Sequence, residues 1–167
     1  MRILGIDPGL TGGVAVLITG DDLDGPARLS DAADIPTKGE NAKRRVDVLE
    51  LTRWIVAHRP DVAFIERAGV MPQQGIASGF IYGRAVGALE AATVLAHVPL
   101  HIIEPRIWKQ TFGLKGDDKE AARQAVLRVL PTAEPLIMRK KDHGRAEAAL
   151  IAMYGADLIA AGKLAAA

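Results

Sequence analysis

The N-terminal segment constrains the fold more than any other part of the chain. Its apolar run from Ile3 to Ile6 predicts a buried strand, and Asp7 ends that strand. Pro8 and Gly9 then favour a turn, because proline fixes φ and glycine adopts backbone conformations that other residues avoid. A second apolar run starts at Val14 and completes a predicted β-hairpin. The hairpin would hold the Asp7 carboxylate at the tip of a rigid strand, although aspartate before proline also occurs in ordinary turns.

A second acid stands in the same kind of place later in the chain. The run from Val62 to Ile65 is apolar throughout, which predicts a strand buried on both faces, and Glu66 closes it. Residues 44–58 precede this run and carry apolar positions at helical spacing. Strand, helix and strand in this order predict a parallel pair, and ligands bind at the carboxyl ends of such strands. Asp7 and Glu66 are therefore expected to meet at one edge of the sheet.

The remaining apolar patterns predict further strands and helices around the same sheet. A third strand is expected within residues 27–35, and a buried strand at 100–104. Helices are predicted at about 80–97, 119–130 and 142–161. The expected architecture is α/β, with a mixed central β-sheet flanked by α-helices. A chain of this length fits a single domain covering residues 1–167.

Composition narrows the class of protein and its compartment. The sequence contains no cysteine, which excludes disulfides and thiolate metal sites. No apolar run approaches the roughly 20 residues needed to span a bilayer, and the N-terminus leads directly into a strand, which argues against a signal peptide. We therefore expect a cytoplasmic protein of a bacterium or a phage-infected cell, with an organellar origin left open. The formal net charge is only +1 and does not by itself indicate a nucleic-acid partner.

The last predicted helix adds two side chains that suit a metal site. His143 and Glu147 are four residues apart, so they lie on one face of the helix about a turn apart. With Asp7 and Glu66 they form a set of three carboxylates and one imidazole, and close carboxylates repel unless a cation lies among them. Such a set suits Mg²⁺ or Mn²⁺. Two such ions about 3.5–4 Å apart can hold the attacking and leaving oxygens of a phosphodiester.

The residues of this motif differ in how firmly they point to a metal. Asp142 precedes the helix and is placed as its N-cap, accepting a hydrogen bond from the first free backbone amides; metal ligation is the less favoured alternative. His143 is equally compatible with a phosphate contact or a general base. Glu147 is the firmer candidate ligand, because an unpaired acid among its apolar neighbours would be costly.

These motifs, in this order and spacing, resemble the RuvC family of Holliday-junction resolvases. The resemblance rests on Ile3-Leu4-Gly5-Ile6-Asp7-Pro8-Gly9, Ile65-Glu66, Gly83-Arg84, Lys109-Gln110 and Asp142-His143-Gly144-Arg145-Ala146-Glu147-Ala148. The last motif is similar to that of phage and organellar relatives. Bacterial housekeeping members carry two aspartates three residues apart there, and Gly144 occupies the earlier of these positions. The fourth metal ligand is therefore open between His143 and Asp142.

The resemblance implies an RNase H-like fold and Mg²⁺- or Mn²⁺-dependent, symmetric nicking of four-way DNA junctions by a homodimer, with two ions per active site. It also implies a basic residue near the metals, a role that Lys109 would fill. Bacterial members place an aromatic residue shortly after the glutamate to stack on a junction base. No aromatic residue follows Glu66 closely here, which leaves Phe80 or Tyr82 as candidates. Neither a membrane nor a small-molecule cofactor is expected.

Two further expectations concern DNA and the second copy of the chain. The helix from Phe80 to His97 carries a small-residue face that is expected to pair with its own copy across a two-fold axis. Basic residues are candidates for DNA contact, provided that they surround the acidic site. These candidates are Arg67, Arg84, Arg106, Lys115, Lys119, Lys140, Lys141 and Arg145.

Other functions share part of the pattern. A less selective branched-DNA nuclease, or a catalytically silent RNase H-like protein that only binds nucleic acid, would have similar motifs. The ATPases of the actin and sugar-kinase class also open with a strand, an aspartate and a Gly/Thr turn, which Gly9, Thr11, Gly12 and Gly13 fit. Those ATPases need two such domains and a second phosphate loop, and the 167 residues contain no second Asp-Gly-Thr motif.

Overall fold

A five-stranded mixed sheet forms the centre of the protein. The computed structural model describes residues 1–20, 27–67, 69, 75–114 and 119–164. The strands of the sheet are β1 (Arg2–Asp7), β2 (Gly13–Ile18), β3 (Arg28–Asp34), β6 (Val62–Glu66) and β7 (Leu100–Ile103), while β4 (Thr37–Lys38) and β5 (Arg45–Val46) form a separate small hairpin. The spatial order of the sheet is β3-β2-β1-β6-β7. Since β1 pairs antiparallel with β2 and parallel with β6, the predicted mixed sheet is confirmed.

Within the described ranges, five α-helices accompany the sheet: α1 (Val48–His58), α2 (Ile76–Leu95), α3 (Pro105–Thr111), α4 (Lys119–Val129) and α5 (His143–Ala160). Helix α1 begins later than expected, because β5 takes the preceding residues and Asp47 caps the helix by accepting the Glu50 amide. Helix α2 begins earlier than expected, at Ile76. Helix α3 was not predicted, and Pro105 at its first position is the local signal for it.

The sheet has a hydrophobic core on each face, because successive side chains of a strand point to opposite sides. Ile3 and Phe64 belong to the core that also contains buried residues of α4 and α5. Leu4 and Ile65 belong to the core on the other face, which includes residues of α1 and α2. Strand β1 is buried on both faces and therefore offers a rigid support for the residue at its end. Among the described residues, no helix is both long and apolar enough to cross a membrane.

Helix α5 lies unusually close to the sheet, because glycines face it. A Cβ on Gly5 of β1 would overlap the carbonyl oxygen of Ala148 and would lie 2.7 Å from the amide nitrogen of Ala152. Real Cβ atoms do not approach backbone so closely, so only glycine fits at this position. The close approach brings the first turns of α5, with Glu147, beside the carboxyl end of β1.

Candidate active site

Asp7 and Glu66 stand side by side at one edge of the sheet. Asp7 is the last residue of β1 and Glu66 is the last residue of β6. Ile6 and Ile65, which precede them, are paired in the parallel register. The two carboxylates are therefore placed at the carboxyl ends of adjacent parallel strands, which is where ligands bind in open α/β sheets.

Lys109 connects this edge with helix α5. Its Nζ lies 3.8 Å from Oε2 of Glu66 and 3.5 Å from Oε2 of Glu147. The three side chains are largely shielded from water, with exposed fractions of 34% for Lys109, 14% for Glu66 and 21% for Glu147. A strand end, helix α3 and helix α5 thus each contribute one charged group to the same small volume.

The electrostatics of this cluster favour an additional positive charge. Burial raises the pKa of Asp7 well above its ordinary value, and the charges of Glu147 and Glu66 raise it further against a smaller opposing effect of Lys109. Burial also raises the pKa of Glu66, with Lys109 and a hydrogen bond from Trp108 acting in the opposite direction. Burial would lower the pKa of Lys109, but the three carboxylates outweigh it and raise that pKa. One ammonium therefore faces more negative charge than it can neutralise.

The donor chemistry of the cluster fits a hard divalent cation, because all three acids offer carboxylate oxygens. As the side chains stand, no group of three or more His, Asp or Glu residues in the described ranges is close enough to hold an ion. The Lys109 ammonium contacts two of the three acids instead. An ion would therefore have to displace Lys109 from at least one carboxylate, with the acids turning towards it.

His143 and Asp142 occupy different environments at the start of α5. His143 is the first residue of the helix and is half-buried. In the described part of the chain, no hydrogen bond or ion pair joins it to Asp7, Glu66 or Glu147. Asp142 is buried, and its carboxylate accepts the Arg139 amide at 2.8 Å and the Arg139 guanidinium at 2.6 Å.

The predicted capping bond from the helix amides to Asp142 is therefore wrong. Asp142 is the N-cap by position, but its side chain makes no capping bond to α5 and instead closes the preceding 3₁₀ turn. Charge-assisted bonds to a guanidinium are stronger than a bond to a neutral amide, which explains the preference. Burial would raise the pKa of Asp142, but the hydrogen bonds from Arg139 outweigh burial and lower it. With both oxygens engaged by Arg139, Asp142 does not join the acid cluster.

Gly144 is required by packing. A Cβ at this position would lie 2.8 Å from the carbonyl carbon of Gly12 and 3.0 Å from the carbonyl oxygen of Thr11. A Cβ on Gly13 would likewise lie 2.6 Å from the amide nitrogen of Arg145. No side chain fits at position 144 while the turn keeps this shape, so a metal ligand cannot come from there. Gly13 serves this helix contact, whereas a Cβ on Gly12 would overlap the carbonyl oxygen of Asp7 within the turn. Backbone packing therefore accounts for both glycines without a bound phosphate.

Two of the predicted DNA-binding arginines already have intramolecular partners. Arg145 donates from Nε to Asp34 at 2.7 Å and from Nη1 to the carbonyl of Leu136. The hydrogen bond from Arg145 lowers the pKa of Asp34. Arg67 forms an ion pair with Glu104. Arg145 therefore ties α5 to the end of β3, and its guanidinium is occupied within the chain.

The other predicted DNA contacts are exposed or lie beyond the described residues. Arg84 lies with its guanidinium 5.7 Å from the centre of the exposed Phe80 ring. Arg106 lines a cavity of about 310 Å³ together with Lys109. Lys140 and Lys141 are exposed near the start of α5. Lys115 falls outside the described residues, and for Lys119 only its place at the start of α4 is described.

Two aromatic residues, Trp108 and Tyr82, belong to the site, and the sequence did not predict a structural role there for either of them. Trp108 is completely buried and donates from Nε1 to Oε2 of Glu66 at 2.9 Å. Tyr82 is half-buried, and burial, followed by the charges of Glu66 and Asp7, raises its pKa to about 12. The sequence signal for Trp108 was its position beside Lys109. Tyr82 was considered only as a base-stacking candidate, together with Phe80, which is 65% exposed.

Comparisons with known proteins give one consistent result. The chain is 30% identical over 133 residues to the crossover junction endodeoxyribonuclease RuvC of Mycobacterium ulcerans, which covers 78% of this chain and 71% of that relative. The RuvC of Mycobacterium sp. strain KMS is 32% identical over 134 residues, with the same coverage of each chain. The structure of Thermus thermophilus RuvC is similar at a TM-score of 0.71 and 26% identity, covering 97% of each chain. No model of a known protein family matches the chain.

Proposed function

The chain belongs to the RuvC family of crossover junction endodeoxyribonucleases, and we propose on that premise that it resolves four-way (Holliday) DNA junctions by nicking two opposed strands. The observation that carries this function is the meeting of Glu66, Glu147 and Lys109 beside Asp7 at the carboxyl edge of the sheet. Phosphodiester hydrolysis needs opposed charges of this kind around the scissile group.

Divalent metal dependence is general for the family. We propose that Asp7, Glu66 and Glu147 hold Mg²⁺ or Mn²⁺, with two ions in each site and His143 as the fourth ligand. The raised pKa values of Asp7 and Glu66 support this assignment, because a divalent cation relieves the repulsion that raises them. When bound, the ions would supply activation of the attacking water and stabilisation of the leaving oxygen.

Lys109 is proposed to contact the scissile phosphate. Its pKa is raised by the three acids, so the ammonium stays charged. The ammonium would be attracted less strongly by Glu66 and Glu147 when these acids hold divalent cations. It can then donate hydrogen bonds to a phosphate oxygen and stabilise the charge that develops during cleavage.

We propose that the protein recognises the shape and the backbone charge of DNA, with little readout of the bases. Arg84, Arg106, Lys140 and Lys141 are exposed, and Arg106 lines the same cavity as Lys109. These side chains can contact phosphates, which fix the position of the protein on DNA but carry no sequence information. Arg67 and Arg145 are weaker candidates, because both have carboxylate partners within the chain.

Helix α2 is proposed to pair with its copy in a homodimer. Six of its residues lie within one outward stripe at helical spacing: Ile76, Phe80, Gly83, Gly87, Ala91 and Val94. Ile76, Phe80 and Val94 are 94%, 65% and 61% exposed, and a Cβ added at Gly83 or Gly87 would meet open space. Ala85 and Ala92, two further small residues of this helix, are buried in the chain's own core and lie outside the stripe. An isologous contact of the stripe would set two active sites in the two-fold symmetry of an open junction.

A substrate comparison tests the function. The protein is incubated with Mg²⁺ or Mn²⁺ and with a four-way junction, a replication fork or a linear duplex of matched sequence. We expect paired nicks in opposed strands of the junction and much slower cutting of the other two. Equal cutting of all three would indicate a less selective nuclease, and binding without nicking under either metal would indicate a silent DNA-binding protein.

A further inference from the structure

Trp108 makes a polar contact that packing alone does not require. The residue is completely buried in the core that also contains Phe64 and Ile103. Its indole Nε1 is the only polar atom of the side chain, and a buried Trp N–H normally finds an acceptor. That acceptor is Oε2 of Glu66, at 2.9 Å, rather than a backbone carbonyl. The ring thus anchors α3 in the core while its N–H contacts a residue of the acid cluster.

The contact restricts how Glu66 can present its oxygens. Lys109, the next residue of α3, approaches the same Oε2 at 3.8 Å. In the part of the chain that the structure describes, no hydrogen bond reaches Oε1 of Glu66. With Oε2 held by the indole, Oε1 remains as the oxygen that is open to an incoming ion. Carboxylates that bind metals are in turn oriented by hydrogen-bond donors, and removal of such a donor typically weakens metal affinity about 10- to 100-fold.

We propose that Trp108 is a positioning residue, which fixes the Glu66 carboxylate through the indole N–H so that Oε1 faces the metal site. The inference rests on the proposed function, because it takes Glu66 as a ligand of a divalent cation. Trp108 itself touches neither DNA nor metal in this proposal. Its N–H prevents rotation of the Glu66 carboxylate. The N–H also offsets the negative charge on Oε2, and it continues to do so when Lys109 moves to the phosphate.

The test measures Mn²⁺ binding directly, by calorimetry and by the electron paramagnetic resonance signal of free Mn²⁺. Trp108→Phe keeps an aromatic ring in the core and removes the N–H. We expect Mn²⁺ affinity to fall about 10- to 100-fold, while the affinity for a four-way junction without metal stays unchanged. Trp54→Phe is the control: Trp54 of α1 contacts the His58 ring and packs on the opposite face of the sheet from Trp108, and its replacement should leave Mn²⁺ affinity unchanged.

A second pair of variants shows whether the effect passes through Glu66. In a Glu66→Gln background, Trp108→Phe should cause no further loss of Mn²⁺ affinity, because the carboxylate it positions is gone. An equal loss in both backgrounds would overturn the proposal, as would wild-type Mn²⁺ affinity in Trp108→Phe alone. If Trp108→Phe fails to fold, a tryptophan analogue with sulfur in place of the indole N–H keeps the shape of the ring and gives the same decision.

The outcome separates this inference from the proposed function. If the chain is not a metal-dependent nuclease, the unmodified protein itself will bind no Mn²⁺ and cut no junction. If only the positioning role is wrong, the unmodified protein will bind Mn²⁺ and cut junctions, and Trp108→Phe will bind Mn²⁺ equally well.

Discussion

The backbone of Gly5 on β1 lies directly against the backbone of Ala148 on α5. Ala148 follows Glu147, so this contact sets how far the Glu147 carboxylate stands from the end of β1, where Asp7 is placed. Rigid elements hold functional groups more accurately than loops do. The distance between these two acids is therefore fixed by main-chain packing.

Gly5→Ala should destabilise the fold and disturb the site together. The added methyl group overlaps the Ala148 carbonyl, and overpacking of this kind costs about 1–3 kcal/mol or more. Urea unfolding should show a lower free energy of unfolding, and junction cleavage at saturating metal should fall. Gly69→Ala is the control, since a Cβ at Gly69 meets open space. Unchanged stability in Gly5→Ala would mean that α5 can move away from β1 without cost.

Replacement of each central acid by its amide should abolish cleavage and preserve DNA binding. Asp7→Asn, Glu66→Gln and Glu147→Gln each remove one negative charge from the proposed metal site with almost no change of shape. Junction affinity comes mainly from phosphate contacts, so it should be retained or slightly increased. Nicking assays and gel-shift titrations measure the two properties. Glu134→Gln, at an exposed position on a 3₁₀ turn, is the control, and near-normal nicking by any of the three variants would remove that acid from the site.

Asp7→Asn should stabilise the metal-free protein at neutral pH. Burial and neighbouring acids raise the pKa of Asp7 in the folded state, so its favourable contribution is complete below about pH 4 and is lost as the pH rises through the folded-state pKa. Removing the charge should raise the free energy of unfolding by about 1 kcal/mol at pH 7. Thermal melts in EDTA at pH 7 and pH 4 measure this difference, which should shrink at the lower pH. A less stable variant at pH 7 would contradict the prediction.

Asp142→Asn should show the opposite pH dependence. Although burial opposes it, hydrogen bonding to Arg139 lowers the pKa of Asp142. The stabilising effect of the Asp142 carboxylate is therefore present above the pKa of an aspartate in the unfolded state, about 4. It is lost as the pH falls through the folded-state pKa. We expect a loss of about 2 kcal/mol at pH 7 from weakened charge-assisted bonds, and a smaller loss in acid. The control is Asp157→Asn, since burial raises the pKa of Asp157 and the amide should not destabilise the fold.

Gly87→Leu should weaken the proposed dimer before it affects the monomer. The side chain would project from the middle of the exposed stripe on α2, where an isologous contact requires close approach. Sedimentation should show more monomer, and paired nicks should give way to single nicks. Ser78→Leu, on the opposite side of the same helix, is the control. Paired nicking by a chain that stays monomeric at working concentration would refute the symmetric arrangement.

Much of the fold was predictable because local patterns and packing agree. The RNase H-like fold expected from the sequence is confirmed by the likeness to Thermus thermophilus RuvC. The strand ending at Glu66 and the helix carrying Glu147 follow from apolar runs that bury the same faces the structure buries. Asp7 was predicted to belong to the site because a second acid, Glu66, closes a buried strand in the same way, and the structure places both acids at strand ends.

The sequence analysis was incomplete where a side-chain partner decides the role of a residue. Asp142 looks like a helix cap from its position, but the guanidinium of Arg139, three residues before it, contacts both of its oxygens. Arg145 looks like a free cation beside an acidic motif, and its partner Asp34 lies far away in the sequence. Helix α3 is too short for a periodic pattern, and it is held by the buried Trp108 ring. Sequence spacing alone does not show which of the available partners a side chain contacts.

The contact between Gly12 and Gly144 restricts how this site can evolve. An acid at position 144 is blocked by the backbone of the turn at Gly12, and Gly12 itself has no room for a side chain, because a Cβ there would overlap the carbonyl oxygen of Asp7. No replacement at position 12 can therefore make space for a side chain at position 144. An aspartate at 144 requires the backbone of the turn to move, so single replacements at either glycine should be absent among functional descendants of this chain.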